Sequence, residues 1–529
     1  MTAFVGTWRL FLLALRVDRF KLAPWILIIA FFPFAVYNSY STVFATPQEA
    51  RALEQTLSTN PAFMLLIGPA HHLDDPFGFT TWRVQVFAMF FTALMAILAV
   101  TRHARGAEDS GEAEIIDSGA VGPHARLASA VLVAWLASAV LALVIAGTLA
   151  ASGAQAKESL ALGGQIGGMG FAFAGAAAVT SQIGSFARTS NTLAAGALVV
   201  SYVLRGLGDT LTGGDWLLWT SPMGWAELVR PAAERNAFPL VLLALAGAAT
   251  ALAGGWLSRR RDFGGGLVEQ RPGRTSWRAG IWRLTASLNR PPTLTWAATF
   301  AFLGLVFGLV TGTLRDFYEG NAFIRQMLAA RAATEADLTL SFVAVLLLML
   351  ALIGGAFGIQ IAARFASEEE ERRAEWVLST GISRHGYFAP SAVAALVAPA
   401  VTMSIGGVVL AFTAAATGAQ VGVGDVVRQT LAGIPALWLA AAVGLTLVGV
   451  YPPFRWIAWL LTVYWLILTL FGPLLKAPDW LLNTSPYYVV PRVTSATADW
   501  APVWWTLAIA AALVAAGFVG YRVRNIRTP

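Results

Sequence analysis

Asp215-Trp216-Leu217-Leu218-Trp219-Thr220-Ser221-Pro222 returns about 264 positions later as Asp479-Trp480-Leu481-Leu482-Asn483-Thr484-Ser485-Pro486. A second echo lies at nearly the same offset, where Glu108–Ala128 (EDSGEAEIIDSGAVGPHARLA) aligns without gaps on Glu369–Ala389 (EEERRAEWVLSTGISRHGYFA). Glu108, Ala113, Glu114, Ser118, His124 and Ala128 face Glu369, Ala374, Glu375, Ser379, His385 and Ala389. Two segments that are far apart within each half keep one spacing, which points to duplication of a whole unit.

Composition says what kind of unit was duplicated. Hydrophobic residues make up 57% of the chain and charged residues 12%, whereas a soluble domain carries about 25% charge. Apolar runs long enough to cross about 30 Å of hydrocarbon fall near 24–44, 82–101, 127–150, 159–183, 190–207 and 237–258. A second set falls near 292–313, 340–362, 390–416, 429–450, 455–472 and 502–521. The expected fold is an all-α polytopic membrane protein of about twelve transmembrane helices in two duplicated six-helix halves. Residues 1–262 form the first half, 263–290 a basic linker, and 291–529 the second half. The fourth run is Gly-rich and the tenth is interrupted by Pro435, so these two spans are the weakest in sequence.

The chain has no cysteine, which excludes disulfides and thiolate chemistry. Its net charge of +7 is almost all arginine, with Lys21, Lys157 and Lys476 the only lysines. The arginines sit at the ends of apolar runs rather than on a soluble patch, so a nucleic-acid partner is not expected. No cleavable signal peptide is evident. Arg9, Arg16, the Arg259-Arg260-Arg261 triplet, Arg271, Arg274, Arg278, Arg283, Arg372, Arg373, Arg522, Arg524 and Arg527 share one side if both termini are cytoplasmic, as the positive-inside rule prefers. Residues 7–20 carry Arg9, Arg16 and Arg19 against Leu10, Leu13, Val17 and Phe20, the pattern of an interfacial helix before the first span. Trp277, Ile281, Trp282 and Leu284 among arginines suggest a second interfacial helix that opens the second half.

The loop after the second span of each half carries the chemistry. In half two, Glu368, Glu369, Glu370, Glu371 and Glu375 precede apolar Trp376, Val377 and Leu378, and Ser379-Thr380-Gly381 ends the helix before Arg384 and His385. An acidic helix with an apolar end suits docking into a cleft on a soluble partner. Half one keeps the frame with Glu108, Asp109, Glu112, Glu114 and His124, but Gly106, Gly111, Gly119 and Gly122-Pro123 interrupt it. The repeated outer element, with Trp216, Thr220, Ser221 and Pro222 in half one and Trp480, Thr484, Ser485 and Pro486 in half two, suits a short helix dipping into the outer leaflet as a gate.

The other polar groups say less. His71-His72 are adjacent and point apart, so no metal site is expected, and Asp75-Pro76 reads as a turn start. Arg83, Arg205 and Arg428 lie near span ends and can snorkel. Gln85, Gln165, Gln182 and Gln360 are the deeper polar groups. No carboxylate or histidine of an ion-coupled carrier is apparent at mid-membrane depth. No G-x-x-x-x-G-K-[S/T] loop occurs, so any ATP is bound by another polypeptide.

At these residues the chain resembles the full-length permease subunits of ABC exporters of the tetronasin and multidrug type, within the type-two ABC permeases. The likeness rests on the acidic loops and the Thr-Ser-Pro segment with Gly224-Trp225 and Val229-Arg230-Pro231. It also rests on Arg260-Arg261-Asp262-Phe263-Gly264 with Arg271-Pro272-Gly273, and on Trp8-Arg9-Leu10, Trp25, Asn60-Pro61-Ala62 and Gly68-Pro69. The resemblance implies a permease in the plasma membrane, paired with two copies of a soluble ABC ATPase that holds ATP and Mg, while this chain binds no cofactor itself. The acidic loops would be coupling helices. Spans two and five of each half would line a cavity between the halves for a small amphipathic substrate, with Phe87, Phe90, Phe91, Tyr202, Met349, Tyr464 and Trp465 as candidate contacts. Charge reversal at Glu369, Glu370 and Glu375 would then uncouple ATP hydrolysis from transport. The rival readings are an ion-coupled carrier with two six-helix halves, a membrane glycosyltransferase using Asp74 and Asp75, and a structural or regulatory membrane subunit.

Overall fold

A computed structural model describes residues 3–44, 46–58, 61–268, 280–320, 335–419, 421–471, 478–493 and 498–525. Arg271, Arg274, Trp277 and Arg278 of the expected linker, with the Arg271-Pro272-Gly273 motif, lie outside them, as do Lys476 and Arg527. The chain divides into two compact units, Met1–Gly273 and Arg274–Pro529, and the described residues form helices and no strand.

Unit 1 holds six long helices: α1 (Thr7–Val43), α4 (Pro76–Thr101), α6 (Ala125–Ala151), α7 (Ala156–Ile183), α8 (Ala187–Thr210) and α10 (Phe238–Leu257). Short helices α2 (Pro47–Ser58), α3 (Pro61–Ile67), α5 (Glu112–Asp117) and α9 (Pro222–Glu227) lie in the connections. Unit 2 repeats the set as α11 (Ile281–Gly320), α12 (Glu335–Glu370), α14 (Arg384–Ala416), α15 (Val423–Val450), α16 (Trp456–Phe471) and α18 (Ala501–Val523). Its short helices are α13 (Arg373–Leu378) and α17 (Asp479–Leu482). Ten of the twelve long helices are long and apolar enough to cross a bilayer. The expected spans at 190–207 and 455–472 coincide with the other two. Helix α8 carries Arg188, Arg205 and Asp209, and α16 has only 16 residues.

Packing repeats as well. The fourth span, α7, lies against α4, α6 and α10, while the first, α1, lies on the third, α6. In unit 2, α15 lies against α12, α14 and α18, and α11 lies on α14. The two spans that read as weakest are therefore continuous and central. Small side chains let neighbouring backbones approach closely, which is what drives helix association where lipid is as apolar as leucine. A Cβ at Gly175 of α7 would sit 2.2 Å from the Gly247 carbonyl of α10, and one at Gly449 of α15 would sit 2.2 Å from the Gly517 carbonyl of α18. Pro435 stays inside α15 without ending it.

The separate interfacial helices are not found. Residues 7–20 run without a break into the first span as α1, with Pro24 and Pro33 inside it, and residue 281 onward runs through Pro291 and Pro292 as α11. The reason lies in tertiary burial. Phe11, Ala14, Asp18, Leu22, Ile29, Ala30 and Pro33 form one buried face that continues past Pro24. At ~1.5 Å per residue, the 37 and 40 residues of these helices extend to about 55 and 60 Å, roughly twice the hydrocarbon thickness. Asp75 caps α4 by accepting from the Phe77 and Gly78 amides at 2.9 Å, so Asp75-Pro76, read as a turn start, opens a helix.

These close approaches can be tested. Gly175→Leu and Gly449→Leu should each destabilise the fold by ~1–3 kcal/mol through overpacking. Gly196→Leu, where an added Cβ meets nothing within 4 Å, should leave the thermal unfolding of the detergent-purified protein unchanged.

Candidate functional site

The two acidic loops fold alike. Each second span ends, one residue sits in the left-handed region (Gly111, φ 79°; Arg372, φ 60°), and a six-residue helix follows. In each, the serine hydroxyl (Ser118, Ser379) donates to the carbonyl three residues back (Ile115, Trp376) at 2.8 Å. Ala113 and Ala374 are buried anchors at 0% and 1% exposure. Beside them, Glu114-Ile115 and Glu375-Trp376 point outward, with Ile115 78% and Trp376 80% exposed. Gly111 does not weaken the first copy. It supplies the positive φ that Arg372 adopts at greater cost in the second.

The acidic residues at the end of span two do something other than dock. Glu108 is almost fully buried, and its carboxylate accepts from Arg105 (2.6 Å), Arg126 (2.8 Å) and Arg261 (2.6 and 3.0 Å). Arg105 donates onward to the Ser181 carbonyl at 2.7 Å, and Arg261 to Gln182 Oε1 at 2.6 Å. The carboxylate thus ties α4 to α6, to the end of α7 and to the chain leaving α10. Glu369, its counterpart, is likewise buried and pairs with Arg524, just past α18. Each half therefore clamps the end of its second span to an arginine following its sixth.

The next residue ties down the fifth span. Asp109 accepts from the Ala187 amide at 2.8 Å at the start of α8. Glu370 takes both ends of the Arg455 guanidinium, at 2.6 and 3.1 Å, just before α16. Glu368 pairs with Arg373 at 3.0 Å, and Glu371 also pairs with Arg373.

His124 and Arg384 turn inward too. His124 is buried and accepts from Arg259 Nε at 2.7 Å, and burial followed by that guanidinium lowers its pKa. His385 lies against the Phe518 ring, and Arg384 donates to the Arg522 and Arg524 carbonyls. Glu108, Glu369, His124 and Arg384 are thus corrected from docking residues to internal fasteners, because their partners lie far away in sequence and only the fold brings them close. Exposed Glu112, Glu114, Glu375 and Trp376 remain on the outer face, joined by Ile115, which the sequence reading passed over.

The repeated Thr-Ser-Pro element also recurs as a fastener. Leu218 and Leu482 are buried, while Trp216 and Trp480 are 64% and 72% exposed. Thr220 and Thr484 each donate to the carbonyl three residues back at 2.6 Å. Ser221 caps α9, which starts at Pro222, and donates to the Ser201 carbonyl of α8 at 3.2 Å. Buried Ser485, which precedes buried Pro486, meets Thr469 of α16 at 2.8 Å. Both copies are pinned to the fifth span of their own half.

The candidate cavity residues divide. Tyr464 bonds the Thr484 hydroxyl at 2.8 Å, and Trp465 Nε1 donates to the Thr484 carbonyl at 3.1 Å. Tyr202 donates to the Leu66 carbonyl, Phe90 packs edge-on against Tyr202, and Met349 is half-buried on α12. Phe87 and Phe91 are the most exposed of the seven. With Trp25, Ile28, Phe32 and Arg83 they line a groove of about 900 Å³ between α1 and α4.

Arg205 does not snorkel. It is fully buried beside Asp209 (3.1 Å) and Glu227 (3.5 Å). Gln165 donates to Gln85 at 3.0 Å, and Trp296 donates to Gln360 at 2.9 Å. Among the described residues no group of His, Cys, Asp and Glu is arranged to hold a metal, and Asp74 pairs with Arg51.

Two compact helical units, each presenting an acidic and apolar tip on a rigidly tied loop, define a polytopic membrane permease. The family model described as multidrug efflux system permease Rv1217c, C-terminal domain, matches residues 10–259 and 279–522, one stretch in each unit. The multidrug efflux system permease protein Rv1217c of Mycobacterium tuberculosis is 34% identical over 539 residues, covering 99% of this chain and 96% of that relative. The chain belongs to this family of multidrug efflux permeases.

The two kinds of acidic residue should separate on mutation. Glu108→Ala leaves three crowded guanidiniums without their counter-charge and should cost ~3–5 kcal/mol, read as a lowered unfolding temperature. Glu114→Ala should change stability by no more than about 0.5 kcal/mol.

Proposed function

We propose that this chain is the membrane-spanning subunit of an ATP-driven exporter that moves amphipathic, hydrophobic compounds out of the cell. Two copies of a separate soluble ATPase, carrying ATP and Mg, would energise it from the cytoplasm, where both termini and the acidic loops would lie. The observation that carries this reading is the pair of tips, Glu114-Ile115 and Glu375-Trp376. Each holds an apolar side chain about four-fifths exposed beside a carboxylate, on a helix whose other face is anchored by a buried alanine. An exposed tryptophan on a rigid support is the kind of anchor that dominates protein interfaces.

The fasteners behind the tips supply the coupling. Because Glu108 and Asp109, or Glu369 and Glu370, tie the loop to spans five and six of the same half, a force on the tip moves that half as a body rather than bending a loop. Membership of a multidrug efflux family supports a drug-like cargo. So does the aromatic groove at Phe87 and Phe91, which offers an apolar wall with Lys21 and Arg83 beside it.

A second reading, an ion-coupled carrier, draws support from buried Asp209 and Glu227. Gentle solubilisation from native membranes, followed by mass analysis, separates the two. A soluble ATPase near two copies per chain supports the exporter, and a chain that purifies alone supports the carrier.

Charge reversal at Glu369 and Glu370 is unsuited to test docking, because Glu369 is buried against Arg524 and Glu370 is engaged by Arg455. The cleaner variant is Ile115→Asp with Trp376→Asp. A buried interface anchor is worth ~2 kcal/mol or more, so this variant should lose about thirtyfold or more in ATPase affinity while eluting as wild type in size exclusion. Stoichiometric ATPase retained by that variant would sink the docking assignment.

A further inference from the structure

At the end of unit 1 opposite the acidic loop, three charged side chains are buried together. Arg205 and Asp209 lie one turn apart on α8, and Glu227 ends α9. The guanidinium is consumed by neighbours. It donates to the Leu65 carbonyl at 2.9 Å, to Met64 at 3.3 Å, to Leu66 at 3.4 Å and to Asp209 at 3.1 Å. Its Nε faces Glu227 Oε2 at 3.5 Å, and neither Glu227 oxygen has a hydrogen-bond donor, although the residue is only 8% exposed. Ionised together, the two carboxylates would set two negative charges against one positive, and burial raises both carboxyls, so the pair holds a proton while the cavity is empty.

The deficit faces open space. Asp209 and Glu227, with Thr81, Trp82 and Gln85 of α4, line a cavity of about 310 Å³. Thr81 Oγ1 is buried there without a partner as well. The carboxylate's place is made by a glycine: Gly68 has φ 98°, and a Cβ on it would lie 2.7 Å from Glu227 Oε1. The unmet carboxylate oxygens can only accept, the missing charge is positive, and one wall is the Trp82 indole. A buried acceptor without a donor is costly, and more so when charged.

We propose that this cavity binds the ammonium group of an amine-bearing amphipathic compound, with Glu227 and Asp209 as counter-ions and Trp82 against its apolar body. An ammonium brings three donors, no acceptor and one positive charge, and indole is the preferred aromatic face for a cation. In the unbound cavity, burial raises the Glu227 carboxyl above the ordinary carboxylate range, opposed by Arg205, then by a hydrogen bond with Asp209, then by Arg230. The amine therefore displaces a proton and binds more tightly as pH rises. The charged and titratable groups around the carboxylate are Tyr202, Arg205 and Asp209 from α8, Arg230 and Glu234 from the segment after α9, and His71 and His72 from the loop before α4. The assignment rests on the export reading only for making the amine a cargo; binding itself does not depend on ATP or on a partner.

The test uses the full chain in lipid nanodiscs and equilibrium dialysis of 2-phenylethylamine against its neutral isostere 2-phenylethanol. Saturable amine binding is expected, preferred over the alcohol by about tenfold or more, as a charged hydrogen bond in a buried site allows. Glu227→Gln should abolish the preference, and Thr81→Val, which keeps volume and removes one acceptor, should weaken amine binding severalfold even if Glu227→Gln folds poorly. Equal binding of both compounds, an unchanged affinity in folded Glu227→Gln, or no saturable binding to the wild type would each overturn the proposal. Those outcomes leave ATPase docking untouched, and loss of docking would leave amine binding intact.

Discussion

A buried carboxylate at the end of the second span organises each half of this permease. Glu108 cannot sit out of water as an anion unless its charge is met, and the fold meets it with arginines from three other places in the unit. That requirement fixes where α6 begins, where the chain leaves α10, and how the end of α7 is held through Arg105 and Gln182. Glu369 imposes the same demand on Arg524 in the second half. The exposed tips owe their fixed position to these inward-turned neighbours. A docking surface on an untethered loop would move without moving the spans behind it.

Repetition also makes the differences between the halves informative. The first copy passes from α4 into its loop through a wide turn at Arg102–Gly106, while in the second α12 runs straight on to Glu370. The wide turn brings Arg102 and His103 onto buried Asp18 of α1, each at 2.7 Å, so half one has an extra clasp on its first helix. The outer ends differ more. Arg205 in the fifth span of half one corresponds by the repeat to Thr469, which does no more than bond Ser485. Charge burial at this end is confined to half one among the described residues.

The spans themselves are held by closeness. Backbones meet at glycines in the fourth and sixth spans of each half, and aromatic side chains fill what remains, as where Phe388 stacks on Tyr521 at 5.0 Å. Such contacts are specific because interiors are packed to crystal density and tolerate little added volume. The Gly-rich α7 has the lowest hydropathy of the ten candidate spans and is among the most buried, since small residues lower the hydropathy of a span and raise its capacity to pack.

Much was determined by sequence alone, and the reasons are local. Hydrophobic run length set the helices, the two echoes set the halves, and the short acidic-to-apolar helix ended by Ser-Thr-Gly was readable because capping and turn chemistry act over a few residues. The family likeness was legible for the same reason, as a chain of short motifs in order. Which charges face outward was not legible. Glu108 and Glu114 are alike in sequence, yet one is enclosed by Arg126 and Arg261 and the other is exposed. Arg205 read as a snorkelling end residue because Glu227, its second counter-ion, lies more than twenty residues away on another helix. Ile115 carried no signal, since one isoleucine beside another is ordinary until the fold buries Ala113 and leaves it bare. Burial depends on what the rest of the chain places nearby, so only the tertiary structure could sort these carboxylates into enclosed and exposed groups.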